Sequence, residues 1–177
     1  LAVRNATIAA EDANFYSHGG IDVKGILRAL YADIKSQNIQ QGGSTITQQL
    51  IKNTLLGKEQ TVKRKIKEVV LAILLESKYS KDEILSLYLN QIPYGSNAYG
   101  IEAAAETYFA TSTKHLTLAE AALLATLPRA PSYYSPYGPH KQELMGRKDT
   151  VLDRMKSIGF ISEKDAESAK KEKLAFE

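Results

Sequence analysis

Apolar residues recur at spacings of three and four along most of the chain, the period of helices that bury one face. Ala2 to Glu11 follows this pattern. After Asp22, a suitable cap, Val23, Ile26, Leu27, Leu30, Tyr31 and Ile34 predict a helix over 22–36. Its wide apolar face reads as core, with a membrane role as the alternative. Gly42-Gly43 marks a turn, and Ser44 to Leu56 reads as helix, capped by Ser44 or Thr45. In Thr61 to Lys78, the residues Ile66, Val69, Val70, Ile73, Leu74 and Tyr79 form a broad apolar face beside a basic start. Three later helices open on capping boxes: Ser80 with Glu83, Thr117 with Glu120, and Ser162 with Asp165. Helical periodicity also covers Ile101 to Phe109, where dense alanine predicts tight packing, and Lys141 to Ile158. The four prolines and one glycine of 128–139 force a non-helical strap. Alternating strands and internal repeats are not visible. The expectation is one mostly α domain over 1–177, with loops at 16–21, 40–43, 91–100 and 128–139 as places for a site.

Composition narrows this picture. The 177 residues, 44% hydrophobic, suffice for one domain with a sizeable core. The absence of cysteine excludes disulfides and thiolate metal sites. His18, His115 and His140 are too scattered to suggest a dedicated zinc site. No run of 18 apolar residues exists, so no bilayer-spanning helix is predicted. The chain starts inside a helical pattern without an initiator Met, which reads as a piece of a longer chain. A net charge of +3 says little, but its distribution says more. Between 52 and 67, six basic residues (Lys52, Lys58, Lys63, Arg64, Lys65, Lys67) face one acid, Glu59.

Two carboxylates stand out. Glu11 opens the segment EDANFYSHGG and is four residues from Phe15, so the two can share a face. A carboxylate backed by an aromatic ring in a cleft can serve as general acid or base. His18 reads as support for it or for the turn, and Asp12 as a weaker candidate. The alternative is a pair of solvated acids at a helix end, where the dipole disfavours negative charge. Glu68 lies four residues after Arg64 and three after Lys65, and both can reach it. The helix start at Ser44, Thr45, Thr47, Gln48 and Gln49, continuing to Lys52 and Asn53, is rich in donors for sugar hydroxyls or a phosphate. It lacks the order of a nucleotide P-loop. The basic run carries no interleaved aromatics, so pyrophosphate fits it better than nucleic acid. Asn90 reads as a cap or a substrate contact, and the strap as a groove lining or a core closure. Glu102 and Glu106 read as a solvated pair, and Arg129 and Arg154 as surface arginines rather than phosphate contacts.

Taken together, these segments resemble the peptidoglycan glycosyltransferase family. It comprises the glycosyltransferase domain of class A penicillin-binding proteins and the monofunctional transglycosylases. The family's first motif, Glu-Asp-x-x-Phe-x-x-His-x-Gly, is matched by Glu11, Asp12, Phe15, His18 and Gly20. Its second runs from Gly42 or Gly43 through Ser44, Thr45, Thr47, Gln48 and Gln49 to Lys52 and Asn53. The third is Arg64, Lys65 and Glu68, and the fourth Ile84, Leu85, Tyr88, Leu89 and Asn90. The resemblance runs from Leu1 to about Pro136. One departure is Gln60, where many members carry an arginine; a phosphate contact there is weaker or passes to Lys58 or Lys63.

The resemblance implies a lysozyme-like helical fold with a larger globular lobe and a smaller, membrane-facing jaw. It implies an inverting enzyme that polymerises lipid II into β-1,4-linked strands, with undecaprenyl pyrophosphate as leaving group. Glu11 would be the general base, facing a cationic nest across a shared groove. Glu68, Lys52, Arg64 and Lys65 would organise the pyrophosphate, with Glu68 acting through water or a divalent cation, magnesium or manganese. No organic cofactor is implied. Implied partners are lipid II, the growing strand, the membrane surface, a fused transpeptidase domain and cell-wall synthesis proteins. The implied location is the extracytoplasmic face of the bacterial cytoplasmic membrane, with the anchor outside this chain. The rivals are a lysozyme-like hydrolase or lytic transglycosylase, which also needs an acid in a glycan groove, and a noncatalytic helical adaptor.

Overall fold

The computed structural model describes residues 2–23, 25, 43–56, 59 and 61–177. These are mostly helical. The helices are α1 (Ala2–Glu11), α2 (Ile46–Thr54), α3 (Val62–Lys78), α4 (Lys81–Gln91), α5 (Ile101–Phe109), α6 (Leu118–Leu124), α7 (Lys141–Ser157) and α8 (Glu163–Lys171). Two short strands, β1 (Pro93–Gly95) and β2 (Ala98–Tyr99), lie between α4 and α5. Most of the helix predicted over 22–36 falls outside the described residues, as do Gly42, Lys58 and Gln60. No helix among the described residues is long and apolar enough to cross a membrane.

The chain divides into two compact units. The first comprises Leu1–Ala13 and Leu89–Glu177. Its core joins Ala6, Ala9 and Ala10 of α1, Ala119 and Ala122 of α6, Val151, Leu152 and Met155 of α7, and Ala169 of α8. Alanine on α1 and α6 lets the helix backbones approach closely, while the larger side chains of α7 fill the space between them. The capping boxes predicted at Thr117 and Ser162 both form. Lys148 is buried on α7; its ammonium donates to the Lys170 carbonyl at 3.3 Å and pairs with Asp149 at 3.0 Å.

Residues 91–100, read as a loop, hold a hairpin instead. β1 and β2 pair antiparallel, and the turn residues Ser96 and Asn97 have φ of 47° and 59°. Two successive positive φ values give a turn whose twist matches the strands. Strands of two and three residues are too short for alternation to register, and Ser-Asn is not the usual signature of such a turn. Gly100 follows with φ of 83°, and a Cβ there would lie 2.6 Å from the Asn90 carbonyl oxygen. Only glycine lets the chain turn into α5 that close to the end of α4.

The second unit is Asn14–Tyr88. Helix α2 packs on α3. Buried residues here include Phe15, Ile46, Leu50, Ile51, Ala72, Ile84, Leu85 and Tyr88. The α3 surface inverts the simple amphipathic reading. Val62, Ile66, Val70, Ile73 and Leu74 are all about half exposed or more, whereas Glu68 and Ala72 are buried. Gly20, with φ of 60°, sits against the Ala72 and Ile73 backbone, where a Cβ would come within 3.1 to 3.2 Å. The glycine ending the first motif is therefore a packing requirement.

Candidate active site

Glu11 is the last residue of α1 and is half-buried. The negative end of the helix dipole works against its ionised form there. Positive charge reaches this end from other elements of the first unit. The Arg154 guanidinium donates to the Ala10 carbonyl at 3.0 Å, so this arginine has a specific partner. Arg147 lies in the fields of Arg129, Glu11 and Arg154. Its guanidinium is driven down by burial and by Arg129, while Glu11 pulls it back up. The Tyr94 phenol is fully buried and pushed up, first by burial and then by the charge of Glu11. Its hydroxyl finds no hydrogen-bond partner among the described residues. Asp12 is buried, and its N–H completes the helix on the Ile8 carbonyl at 2.9 Å. Asn90 is exposed near the end of α4.

The remaining predicted residues fall in the second unit. Phe15 is fully buried in a 3-10 turn, edge-on to Tyr16 and His18 at 5.3 and 6.4 Å between ring centres. The Lys81 ammonium lies 4.4 Å from its ring centre. The Thr45 hydroxyl donates to the Gly20 carbonyl at 2.8 Å, tying the second motif to the first. Thr45 also caps α2 in a capping box: the Gln48 N–H donates to its hydroxyl, and its own N–H donates to Gln48 Oε1. Thr47 donates to Glu76, which also accepts from Lys81 at 2.8 Å. Burial works to raise the Glu76 carboxyl, but Lys81, Thr47 and the Gly20 N–H together bring it below its ordinary value. The Tyr88 hydroxyl donates to Gln49 Oε1 at 3.0 Å, so the fourth motif joins the second.

The third motif closes the network. Glu68 is 1% exposed, and both of its oxygens accept from cations of its own helix. Arg64 Nη1 donates to Oε2 at 2.8 Å, and the Lys65 ammonium donates to Oε1. Lys65 also donates to the Ser44 hydroxyl at 3.0 Å. A divalent cation added at Glu68 would meet two positive charges already seated there, so that position does not fit one. Within the same unit, His18 and Asp22 each offer a ligand atom, the two within 4.8 Å of each other. Asp22 additionally accepts from the Gly25 N–H at 2.8 Å. Lys52 and Asn53 are exposed on α2, with Lys52 in its last turn, where the dipole favours a cation. Lys52 makes no ion pair among the described residues.

Sequence reasoning thus located the pairing of Glu68 with Arg64 and Lys65. It missed Arg147, Tyr94 and Glu76, whose surroundings form only through tertiary packing. Arg147 had one readable signal: it stands seven residues before Arg154 on one helix.

The transglycosylase family model matches residues 1–156. Penicillin-binding protein 1F of Bacillus subtilis is 50% identical over 167 residues, covering 94% of this chain and 23% of that protein. Penicillin-binding protein 1A of Aquifex aeolicus gives the same identity and coverage. Penicillin-binding protein 1A of Neisseria gonorrhoeae is 47% identical over 176 residues, 99% of this chain and 22% of that protein. The chain spans less than a quarter of the length of these relatives. A crystal structure of penicillin-binding protein 1A from Haemophilus influenzae is similar with a TM-score of 0.53 at 32% identity, over 75% of this chain and 16% of that one.

Proposed function

The chain belongs to the transglycosylase family, and from that membership we propose that it polymerises lipid II into β-1,4-linked glycan strands. Glu11 takes the proton from the 4-hydroxyl of the acceptor's N-acetylglucosamine. The freed oxygen attacks the anomeric carbon of the donor strand from the face opposite its pyrophosphate. The bond from that carbon to the phosphate oxygen breaks, the configuration inverts, and undecaprenyl pyrophosphate departs with the electron pair. Lys52, Arg64 and Lys65 offset the charge that grows on the leaving group. Glu68 fixes Arg64 and Lys65 in place and does not itself meet the phosphate. Ser44, Thr45, Thr47, Gln48, Gln49 and Asn53, with Asp12, Phe15, His18 and Asn90, shape the binding surface. Several of them act by holding the backbone.

The observation that carries this reading is the Lys65 ammonium bonded to both Ser44 and Glu68. It gathers the second and third motifs into one cationic cluster suited to pyrophosphate. A divalent cation, magnesium or manganese, is part of the proposal at His18 and Asp22, where it would supply further positive charge toward a phosphate. The setting is the extracytoplasmic face of the cytoplasmic membrane, where lipid II is presented. A transpeptidase domain and other cell-wall synthesis proteins are the proposed partners.

Incubating the protein with labelled lipid II, with and without a metal chelator, tests the reading. Polymer of many disaccharides is expected. Cleavage of finished glycan without use of lipid II would favour a lytic enzyme instead.

A further inference from the structure

Glu76 lies in the last turn of α3, and Lys81 opens α4. Each sits at the helix end whose dipole opposes its charge. The two pair nonetheless at 2.8 Å, with the Glu76 and Lys81 side chains only 10% and 19% exposed. A buried ion pair is a poor source of net stability, because desolvation offsets the attraction. Its other partners show what this one fixes.

The Thr47 hydroxyl, from the second motif, donates to the same Glu76 oxygen that accepts from Lys81. The Lys81 ammonium also lies 4.4 Å from the centre of the Phe15 ring in the first motif, within cation–π range. Its neighbour Asp82 accepts from the Tyr16 hydroxyl at 2.7 Å. At the far end of the first motif, Gly20 lies against the Ala72 and Ile73 backbone, about one turn before Glu76. The Gly20 carbonyl accepts from Thr45 at 2.8 Å. The turn from Phe15 to Gly20 is thus tied down on both sides of His18, which meets the Phe15 ring edge-on at 6.4 Å.

We propose that Glu76 and Lys81 are positioning residues that set the first-motif turn against α2, so that His18 and the donors of α2 address the same lipid-linked substrate. This rests on the reading of those residues as the donor-binding surface. Neither Glu76 nor Lys81 meets the substrate in this assignment. They join Thr47 to Phe15, and the spacing of the two motifs follows.

The test uses Glu76→Gln, Lys81→Met and Lys81→Arg, each held well below its melting temperature. The first readout needs no substrate. The chain has three histidines, and His115 and His140 lie in the other unit. In proton–carbon NMR spectra of the imidazoles, Glu76→Gln and Lys81→Met should shift the His18 signals, which feel the Phe15 ring. Those of His115 and His140 should stay in place. Lys81→Arg keeps a cation able to meet both carboxylate and ring, and should restore the wild-type His18 position. Unmoved His18 signals in the folded variants would overturn the proposal, and Lys81→Met decides alone if Glu76→Gln does not fold. The second readout is steady-state polymerisation of labelled lipid II. For Lys81→Met, kcat/KM should fall about 100-fold, the scale of a misplacement of about 1 Å, and recover in Lys81→Arg. An unchanged kcat/KM, or a loss that only follows the unfolded fraction, would overturn the positioning role. A wild-type protein inactive on lipid II would sink the functional reading, and the NMR comparison would still decide whether the pair places His18.

Discussion

Glu11 and Glu68 answer the problem of a carboxylate in a folded protein in opposite ways. Glu68 is compensated by its own helix: Arg64 and Lys65, four and three residues before it, occupy both of its oxygens. Glu11 ends α1, where Arg154 of α7 donates to the preceding Ala10 carbonyl at 3.0 Å, and its charge acts on Arg147 of the same helix. The contrast teaches what each can do. A carboxylate sealed between two cations organises those cations and is poorly placed to accept a proton. A half-buried carboxylate whose counter-charges come from distant parts of the chain is held by tertiary packing, and its placement can be tuned for proton transfer. The two glutamates differ in kind even though each heads or closes a motif.

Removing Glu68 should sharpen that contrast most in stability. Glu68→Gln leaves Arg64 and Lys65 facing each other, and should cost about 3 kcal/mol in chemical denaturation. Glu11→Gln should cost less than about 1 kcal/mol in the same experiment. Equal losses would erase the distinction between organiser and base. Next in size is Lys52→Ala. It should weaken binding of the lipid-linked donor about 10-fold, the scale of one charge-assisted bond, with thermal melting unchanged. Unaltered affinity would remove Lys52 from the cationic cluster. The smallest effect concerns pH. Glu76 is held below its ordinary value of 4.5, so the stability it contributes is present above that value and lost as pH falls through the lower, folded one. Melting temperature measured across acid pH should decline less steeply for Glu76→Gln than for the wild type. Parallel curves would contradict the assignment of Glu76 to the second unit's framework.

What could be read in advance was what is local. The capping boxes at Ser80, Thr117 and Ser162 form as their spacing dictates. The Glu68 pairs follow from i, i+3 and i, i+4 geometry alone. The order of the motifs pointed to the family that the comparison found. Contacts between motifs, and between a motif and Glu76, were not legible, because Thr45 with Gly20, Thr47 with Glu76 and Tyr88 with Gln49 depend on how helices pack. Arg147 was missed for the same reason, since no short-range rule links α7 to the end of α1. The apolar stripe of α3 marks a different gap. Periodicity identified Ile66, Val70 and Ile73 as one face, but it cannot say whether that face meets a core or remains exposed, as it does.

The most direct check on this account is the product profile of Glu11→Gln with labelled lipid II, read on gels beside a lipid II binding titration. Polymerisation should fall about 1000-fold while binding persists, as expected when a general base is lost from an otherwise intact site. Strands of near-normal length, made at a near-normal rate, would contradict it.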